Sequence, residues 1–208
     1  MATNGSTGKA PIILIGGIPG VGKSSISGYI ARSLGIDIVL SGDYLREFAR
    51  PILSEENQKI LGTSVYEAWQ HFGPENDENI RKGFLTQGEI LNKGLNAVLK
   101  RAIRNGEPLI AETLYFIPSQ MEKEVMDSIT PLYIYISKKE INSQRLLERE
   151  KYTHYNSPGK RLSDQLDRYR VMMDYSLKEC GSYGIRAFDN LVYTDTREEI
   201  IQYLRGLY

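Results

Sequence analysis

Three observations predict an α/β fold: a five-stranded parallel sheet sandwiched by helices. Five short apolar runs, at residues 12–15, 36–40, 108–111, 132–136 and 185–188, have the length and composition of buried strands. Helical segments separate them, and strands that alternate with helices pair in parallel under cover on both faces. The first run also enters a glycine-rich turn, Gly16-Gly17-Ile18-Pro19-Gly20-Val21-Gly22, that opens directly into a helix. Right-handed crossovers then leave few topologies.

Residues 1–10 are small and polar and read as a disordered N-terminus or an expression remnant; residues 11–208 read as a single domain. The first helix is expected from about Lys23 to Leu34, with Gly35 as its C-cap. The second strand, Ile36 to Leu40, is expected beside the first. After it, Ser41 or Asp43 could cap a short helix that Pro51 stops, and Asp43, Arg46 and Arg50 then share one face. Leu53 to Gly73 is less regular, with a short helix over Ser64 to His71 that Gly73-Pro74 breaks. Asn79 to Asn105 is strongly periodic: Ile80, Phe84, Leu91, Leu95, Val98, Leu99 and Ala102 keep to one side, and Gly106 ends the run. Gly83, Gly88 and Gly94 each cost about 1 kcal/mol against alanine in a helix, which points to close packing or a kink.

Pro108 to Ala111 is the third strand and ends at Glu112. Ile117 to Ser128 reads as helix, Leu132 to Ile136 as the fourth strand, and Lys139 to Lys151 as helix again. Tyr152 to Lys160 is a polar break. A long helix runs from Ser163 to about Tyr183, with Leu166, Tyr169, Met173, Leu177 and Cys180 on its apolar side and Gly184 as its cap. Ile185 to Phe188 is the last strand, and Glu198 to Leu204 a terminal helix.

The 208 residues are 41% hydrophobic and 25% charged, which suits one domain of ordinary size. Lys plus Arg and Asp plus Glu are both 26, so the chain has no global pull towards nucleic acid or an anionic membrane. Its one cysteine, Cys180, can form no internal disulfide and reads as a buried structural thiol, in keeping with a reducing cytoplasm. No run is long enough for a membrane span, and no signal peptide is evident. His71 and His154 have no metal-ligand spacing.

The turn carries chemistry. Gly17 to Ser24 reads G-x-x-x-x-G-K-S, the loop whose backbone amides cradle the phosphates of a nucleoside triphosphate. Gly17, Pro19, Gly20, Val21, Gly22, Lys23, Ser24 and Ser25 form the candidate ATP site, backed by the positive end of the helix. Lys23 would reach the β- and γ-phosphates, and the Ser24 hydroxyl would hold Mg²⁺. Other candidates stand at the carboxyl ends of the strands, where such folds bind ligands: Asp43, Glu112, Ser137 and Asp189-Asn190.

Phosphoryl transfer needs an oriented acceptor oxygen and cations around the moving phosphate. Asp43 could accept an acceptor hydroxyl proton or hold a Mg²⁺-bound water. Arg46 could clamp an anionic acceptor. The plainer alternative is a helix cap paired with Arg46. Arg50 is a further candidate, or a surface ion pair. A lone Glu112 at the end of an apolar strand needs a metal, an acceptor or hydrogen bonds, since burying it unpaired is costly. Arg145 and Arg149, spaced i, i+4, lead into the polar break, with Lys160 and Arg161 beyond it. Residues of about 145–163 therefore resemble a mobile lid that brings cations to the transferring phosphate, with solvated charge as the alternative. Residues of about 51–80 would form an acceptor-side cap, where Trp69 could line a pocket or pack in the core. The chain has no N-K-x-D motif and no D-x-x-G after the third strand, against a GTPase switch. No aromatic-and-basic pattern marks nucleic-acid binding.

Several segments together resemble the kinase domain of 2-phosphoglycerate kinases: residues 12–17 with the loop, Gly42-Asp43-Tyr44-Leu45-Arg46-Glu47, Tyr66-Glu67-Ala68-Trp69, Gly83-Phe84-Leu85-Thr86-Gln87, 109–118, and 169–190. The resemblance covers most of Pro11 to Leu191. It implies a P-loop kinase that uses ATP and Mg²⁺ to phosphorylate a hydroxyl of a small anionic metabolite, 2-phosphoglycerate or a related phosphorylated hydroxy acid. It implies Lys23 and Ser24 for ATP and Mg²⁺, Asp43 for the acceptor hydroxyl and Arg46 for its anion, and it adds Gln87 to the substrate-binding set. Two departures stand out. The longer members carry an N-terminal regulatory domain that this chain is expected to lack, and Glu112-Thr113 replaces their usual Glu-Gly. The Asp43-x-x-Arg46 pair also resembles that of polynucleotide 5′-kinases. A polynucleotide or nucleoside kinase and a nucleotide-dependent regulatory protein stay open as alternatives, as does a homodimer.

Overall fold

Burial on both faces explains why the strands read as unbroken apolar runs. In β1 (Ile12–Gly16) and β3 (Leu109–Thr113) every residue is buried. The computed structural model of the chain describes residues 10–152 and 159–208. The expected disorder of residues 1–9 and most of the polar break, with His154, lie outside the described residues.

With β2 (Ile38–Ser41), β4 (Thr130–Tyr135) and β5 (Arg186–Asp189), these strands form one parallel sheet in the order β2-β3-β1-β4-β5. Ile15 pairs with Glu112 and Ser41 also pairs with Glu112, so β3 lies between β1 and β2. The expectation that β2 adjoins β1 is corrected: β3, buried along its whole length, takes the place beside the central β1 and leaves the half-exposed β2 at the edge.

Helices flank the sheet. α1 (Lys23–Leu34) ends at Gly35, whose φ of 66° only glycine adopts readily. α2 (Gly42–Ala49) follows β2 without a linker. Its N-cap is Ser41, but neither the Ser41 nor the Asp43 side chain closes the cap, and Pro51 sits inside a following 3₁₀ turn, Arg50–Ile52. α3 (Glu55–Gly62) falls in the stretch expected to be irregular. Ser54 caps it by accepting from the Asn57 N–H at 3.4 Å, but only Leu61 is buried, so periodicity gives no sign of it. Val65–His71 is a 3₁₀ segment, and α4 (Asp77–Asn105) is the long helix, ended by Gly106 at φ 61°.

Two of the α4 glycines mark close packing. A Cβ on Gly83 would sit 2.7 Å from the Ala68 carbonyl carbon, and one on Gly88 2.4 Å from Ile117 Cδ1, whereas Gly94 faces open space. Beyond β3, the expected helix from Ile117 to Ser128 is reduced to a 3₁₀ turn at Pro118–Gln120 and the short α5 (Lys123–Met126). Here α4 side chains replace helical bonds: Asn92 donates to the Tyr115 carbonyl at 2.9 Å, Asn96 donates to the Gln120 carbonyl at 3.2 Å, and the Glu122 N–H donates to Asn96 Oδ1 at 3.1 Å. α6 (Lys139–Tyr152), α7 (Gly159–Ser163), α8 (Leu166–Ser182) and α9 (Tyr193–Arg205) complete the chain. α9 begins five residues before the expected Glu198, because its first turn is polar and aromatic. α1 packs with α9, and α4 with α8. Among the described residues no helix is long and apolar enough to cross a membrane.

Candidate active site

Parallel strands bring their carboxyl ends to one edge of the sheet, and a cavity of about 930 Å³ opens there. Its floor is the loop after β1. Gly17, Gly20 and Gly22 have φ of 154°, 80° and 92°, and a side chain on Gly17 would stand 2.4 Å from the Ile134 carbonyl oxygen. The loop is tied from below: buried Asn190 donates to the Val21 carbonyl at 2.8 Å, and Asn142 donates to the Pro19 carbonyl at 3.3 Å. Pro19, Gly20, Gly22, Lys23, Ser24 and Ser25 face the cavity, while Gly17 and buried Val21 support them.

Lys23 donates to the Ile18 carbonyl at 3.2 Å, across the mouth of the loop. Its pKa is pulled below the ordinary lysine value by desolvation, which Glu112 and then Asp43 partly offset, with Arg149 adding to the lowering. Ser24 Oγ donates to Glu112 Oε1 at 2.8 Å. The other oxygen, Oε2, is buried and without a hydrogen-bond partner, in a residue only 8% exposed. A carboxylate oxygen left so is expensive unless a cation meets it. The pair thus fits a hard divalent ion bound through oxygen, such as Mg²⁺. No cluster of three His, Cys, Asp or Glu among the described residues could hold a metal unaided, so such an ion would be shared with phosphate oxygens.

Asp43 projects from the first turn of α2 into the same cavity. Close contact sets its position: a Cβ on Gly42 would come within 2.9 Å of the Glu112 carbonyl oxygen and 2.8 Å of Thr113 Oγ1. Asp43 interacts electrostatically with Lys23 and with Arg149 of α6. Burial lowers the Arg149 pKa, and Asp43 acts against that. Arg145 also faces the cavity and donates to the Leu191 carbonyl at 3.0 Å. Of the expected lid, Arg145, Glu148, Arg149, Arg161 and Leu162 line the cleft.

The other candidates divide. Arg46 lines the cavity, but its Nη2 donates to the Leu61 and Thr63 carbonyls, the latter at 3.1 Å, and its Nη1 to Glu47 at 2.8 Å; only the buried Nε has no partner. Arg50 does not line the cleft: it lies past the end of α2, in the 3₁₀ turn, and pairs with Glu47 at 2.8 Å. Trp69 is also outside, with the Arg168 guanidinium 5.6 Å from its ring centroid. Gln87 lies fully buried behind the wall, both ends of its amide engaged. His71 bonds Thr63 Oγ1 at 2.9 Å, away from the cleft.

Sequence reasoning missed the far wall. Tyr115 and Tyr169, with Val65, Tyr66, Leu114 and Leu162, line the cavity as well. Tyr66 and Tyr169 meet edge to face at 5.8 Å, and Tyr115 stacks on Phe84 at 5.9 Å. These residues come from four separate segments with ordinary core spacing. No local pattern marks them; only the position of 113–116 just after a strand end could have pointed there.

A model of the family described as "AAA domain" matches residues 16–158. Mevalonate-3-phosphate 5-kinase of Thermoplasma acidophilum is 46% identical over 194 residues, 93% of this chain and 95% of that protein. The 2-phosphoglycerate kinase of Pyrococcus horikoshii is 31% identical over 93% of this chain but only 64% of its own length. Across the 2-phosphoglycerate kinases of Methanopyrus kandleri, P. horikoshii and Methanothermobacter thermautotrophicus the matched share is 60–65%. Among solved structures, a gluconokinase from Sinorhizobium meliloti aligns with a TM-score of 0.50 at 16% identity, over 96% of this chain and 93% of that one.

Proposed function

The chain belongs to the P-loop kinase family that holds these 2-phosphoglycerate and mevalonate-3-phosphate kinases, and as an ATP-dependent small-molecule kinase it acts, we propose, on a phosphorylated hydroxy acid, with mevalonate 3-phosphate phosphorylated at its 5-hydroxyl as the leading candidate. One juxtaposition carries the reading: Asp43, Lys23 and Arg149 line one cavity within electrostatic reach of one another, and the remaining wall of that cavity is aromatic and apolar. Val65, Tyr66, Leu114, Tyr115, Leu162 and Tyr169 suit a carbon skeleton with a methyl branch better than a compact triose acid, and the 46% identity supports the same choice.

In this reading the loop amides and Lys23 hold the β- and γ-phosphates. Asp43 accepts the acceptor hydroxyl proton as that oxygen bonds the γ-phosphorus and the bond to the β-phosphate oxygen breaks, releasing ADP. Arg149 and Arg161, which line the cleft, would meet the charge of the transferring group and of the acceptor anion. Ser24 and Glu112 would hold Mg²⁺, which supplies charge neutralisation for the phosphate oxygens. Filling of the cleft by both substrates would exclude water and so limit wasteful ATP hydrolysis.

The test is acceptor-dependent ADP formation from ATP and Mg²⁺ with mevalonate 3-phosphate, mevalonate, 2-phosphoglycerate, a nucleoside and a 5′-hydroxyl oligonucleotide. Turnover highest on mevalonate 3-phosphate, with a bisphosphate product by mass spectrometry, is the expected result. Turnover only on the nucleoside or the oligonucleotide would sink it. The second reading, 2-phosphoglycerate itself, is supported by relatives of 28–31% identity and by the arginines that line the cleft, Arg46, Arg145, Arg149 and Arg161, which suit an acceptor that carries more charge for its size.

A further inference from the structure

One buried amide ties three parts of the acceptor wall together. Gln87 sits on α4, wholly shielded from solvent. Its Nε2 donates to the Ile60 carbonyl at 2.7 Å and to the Thr63 carbonyl at 2.9 Å, so this end of the amide must be nitrogen. The other end must then be oxygen, and the Tyr115 hydroxyl donates to it at 2.7 Å. The Thr63 carbonyl also accepts from Arg46 at 3.1 Å, which fills its second lone pair.

Two consequences follow. The Tyr115 hydroxyl proton is committed to Gln87, so towards Arg46 and the cavity this oxygen can only accept. The end of α3 is clasped between Arg46 from α2 and Gln87 from α4. Tyr115 is held elsewhere as well: its N–H donates to Thr113 Oγ1 at 3.0 Å, its carbonyl accepts from Asn92 at 2.9 Å, and its ring stacks on Phe84. So complete a fixation of one cleft-lining phenol is more than packing requires.

We infer that Gln87 is a positioning residue for the acceptor: through one amide it aims the Tyr115 oxygen and fixes the 60–63 turn that holds the Arg46 guanidinium, setting acceptor affinity without touching the acceptor. The inference deepens the kinase reading above and rests on it for its kinetic arm only.

Gln87→Met keeps the volume but removes both donors and the acceptor, whereas Tyr115→Phe removes the hydroxyl that Gln87 aims and leaves the two bonds from Gln87 to the 60–63 turn in place. Gln87→Met should raise the acceptor KM about tenfold, because buried partners are left unpaired, with kcat and the ATP KM within about twofold. Tyr115→Phe should raise it by a smaller factor, and the double variant should be little worse than Gln87→Met alone, since both act on one bond. Hydrogen exchange of free Gln87→Met protein should quicken at residues 60–66 and stay unchanged at residues 17–25. An unchanged acceptor KM, or an equal rise in both KM values, overturns the inference. If Gln87→Met fails to fold, Tyr115→Phe decides: a raised acceptor KM at constant ATP KM supports it, and no change overturns it. If the wild type turns over no hydroxy acid, the kinase reading falls, and the exchange at 60–66 alone decides the role of Gln87.

Discussion

Asp43 and Lys23 show how much rests on single groups. No side-chain hydrogen bond from Asp43 caps its own helix; Asp43 lines the cleft with Lys23 and Arg149 and interacts with both electrostatically. Asp43→Asn keeps the shape and removes the base; kcat should fall by about 10²–10⁴-fold while nucleotide affinity, read by fluorescent ADP titration, stays near wild type. A variant that transfers at the normal rate would remove Asp43 from the chemistry. Lys23 carries the opposite tension, because the net lowering of its pKa means that burial outweighs the attraction of Glu112 and Asp43. Lys23→Met should therefore raise the melting temperature of the nucleotide-free protein, by roughly 2–4 °C per kcal/mol relieved, while abolishing turnover. A lower midpoint in calorimetry would show that Lys23 stabilises the empty loop.

At the scale of elements, α4 is the beam on which the acceptor side is hung. Its apolar stripe was legible in the spacing from Ile80 to Ala102, but its buried polar residues were not. Gln87, Asn92 and Asn96 carry no periodic signal that separates a buried amide from a solvated one, and only the partners Ile60, Tyr115 and Gln120 give them meaning. The glycines of α4 divide on the same ground. Gly83→Ala should cost about 1–3 kcal/mol, because the new methyl meets the Ala68 backbone at 2.7 Å. Gly94→Ala should stabilise by roughly 0.5–1 kcal/mol, since nothing stands within 4 Å and the helix loses a flexible residue. Urea midpoints measure both, and equal shifts of one sign would mean that helix propensity, not packing, governs these positions.

For the whole molecule, the buried titratable groups set the response to alkali. Desolvation pushes the Cys180 thiol up to about 12 and drives the hydroxyls of Tyr115, Tyr133 and Tyr169 above the ordinary tyrosine value. A group whose pKa is raised by folding stabilises the fold fully below its unfolded pKa. That stability is lost as the pH rises beyond it. Stability should therefore hold at neutral pH and decline above about pH 9, where the unfolded thiol begins to ionise, and more steeply above about pH 10 as the tyrosines follow. Lys23, whose pKa is lowered, works the other way and softens the decline. Urea midpoints at pH 7.5, 9 and 10.5 check the sign; a midpoint that rises throughout would contradict it. Cys180 should also resist alkylation until the protein unfolds.

The sequence by itself determined the fold class, the number of strands and the position of the glycine-rich loop between β1 and α1, with Lys23 and Ser24 at the start of α1. Those depend on local facts: apolar runs of strand length, helix-ending glycines, and a loop whose glycines, lysine and serine are contiguous. Only the tertiary structure decided that β3 lies between β1 and β2, which carries Glu112 to Ser24 and Gly42 against Thr113. It also moved Arg50, Trp69 and Gln87 out of the cleft and put Tyr66, Tyr115 and Tyr169 in its wall. The physical reason is that a phosphate loop is made by neighbours along the chain. The aromatic wall of the cavity is made by side chains from distant segments, and nothing short of packing them together shows which ones face it.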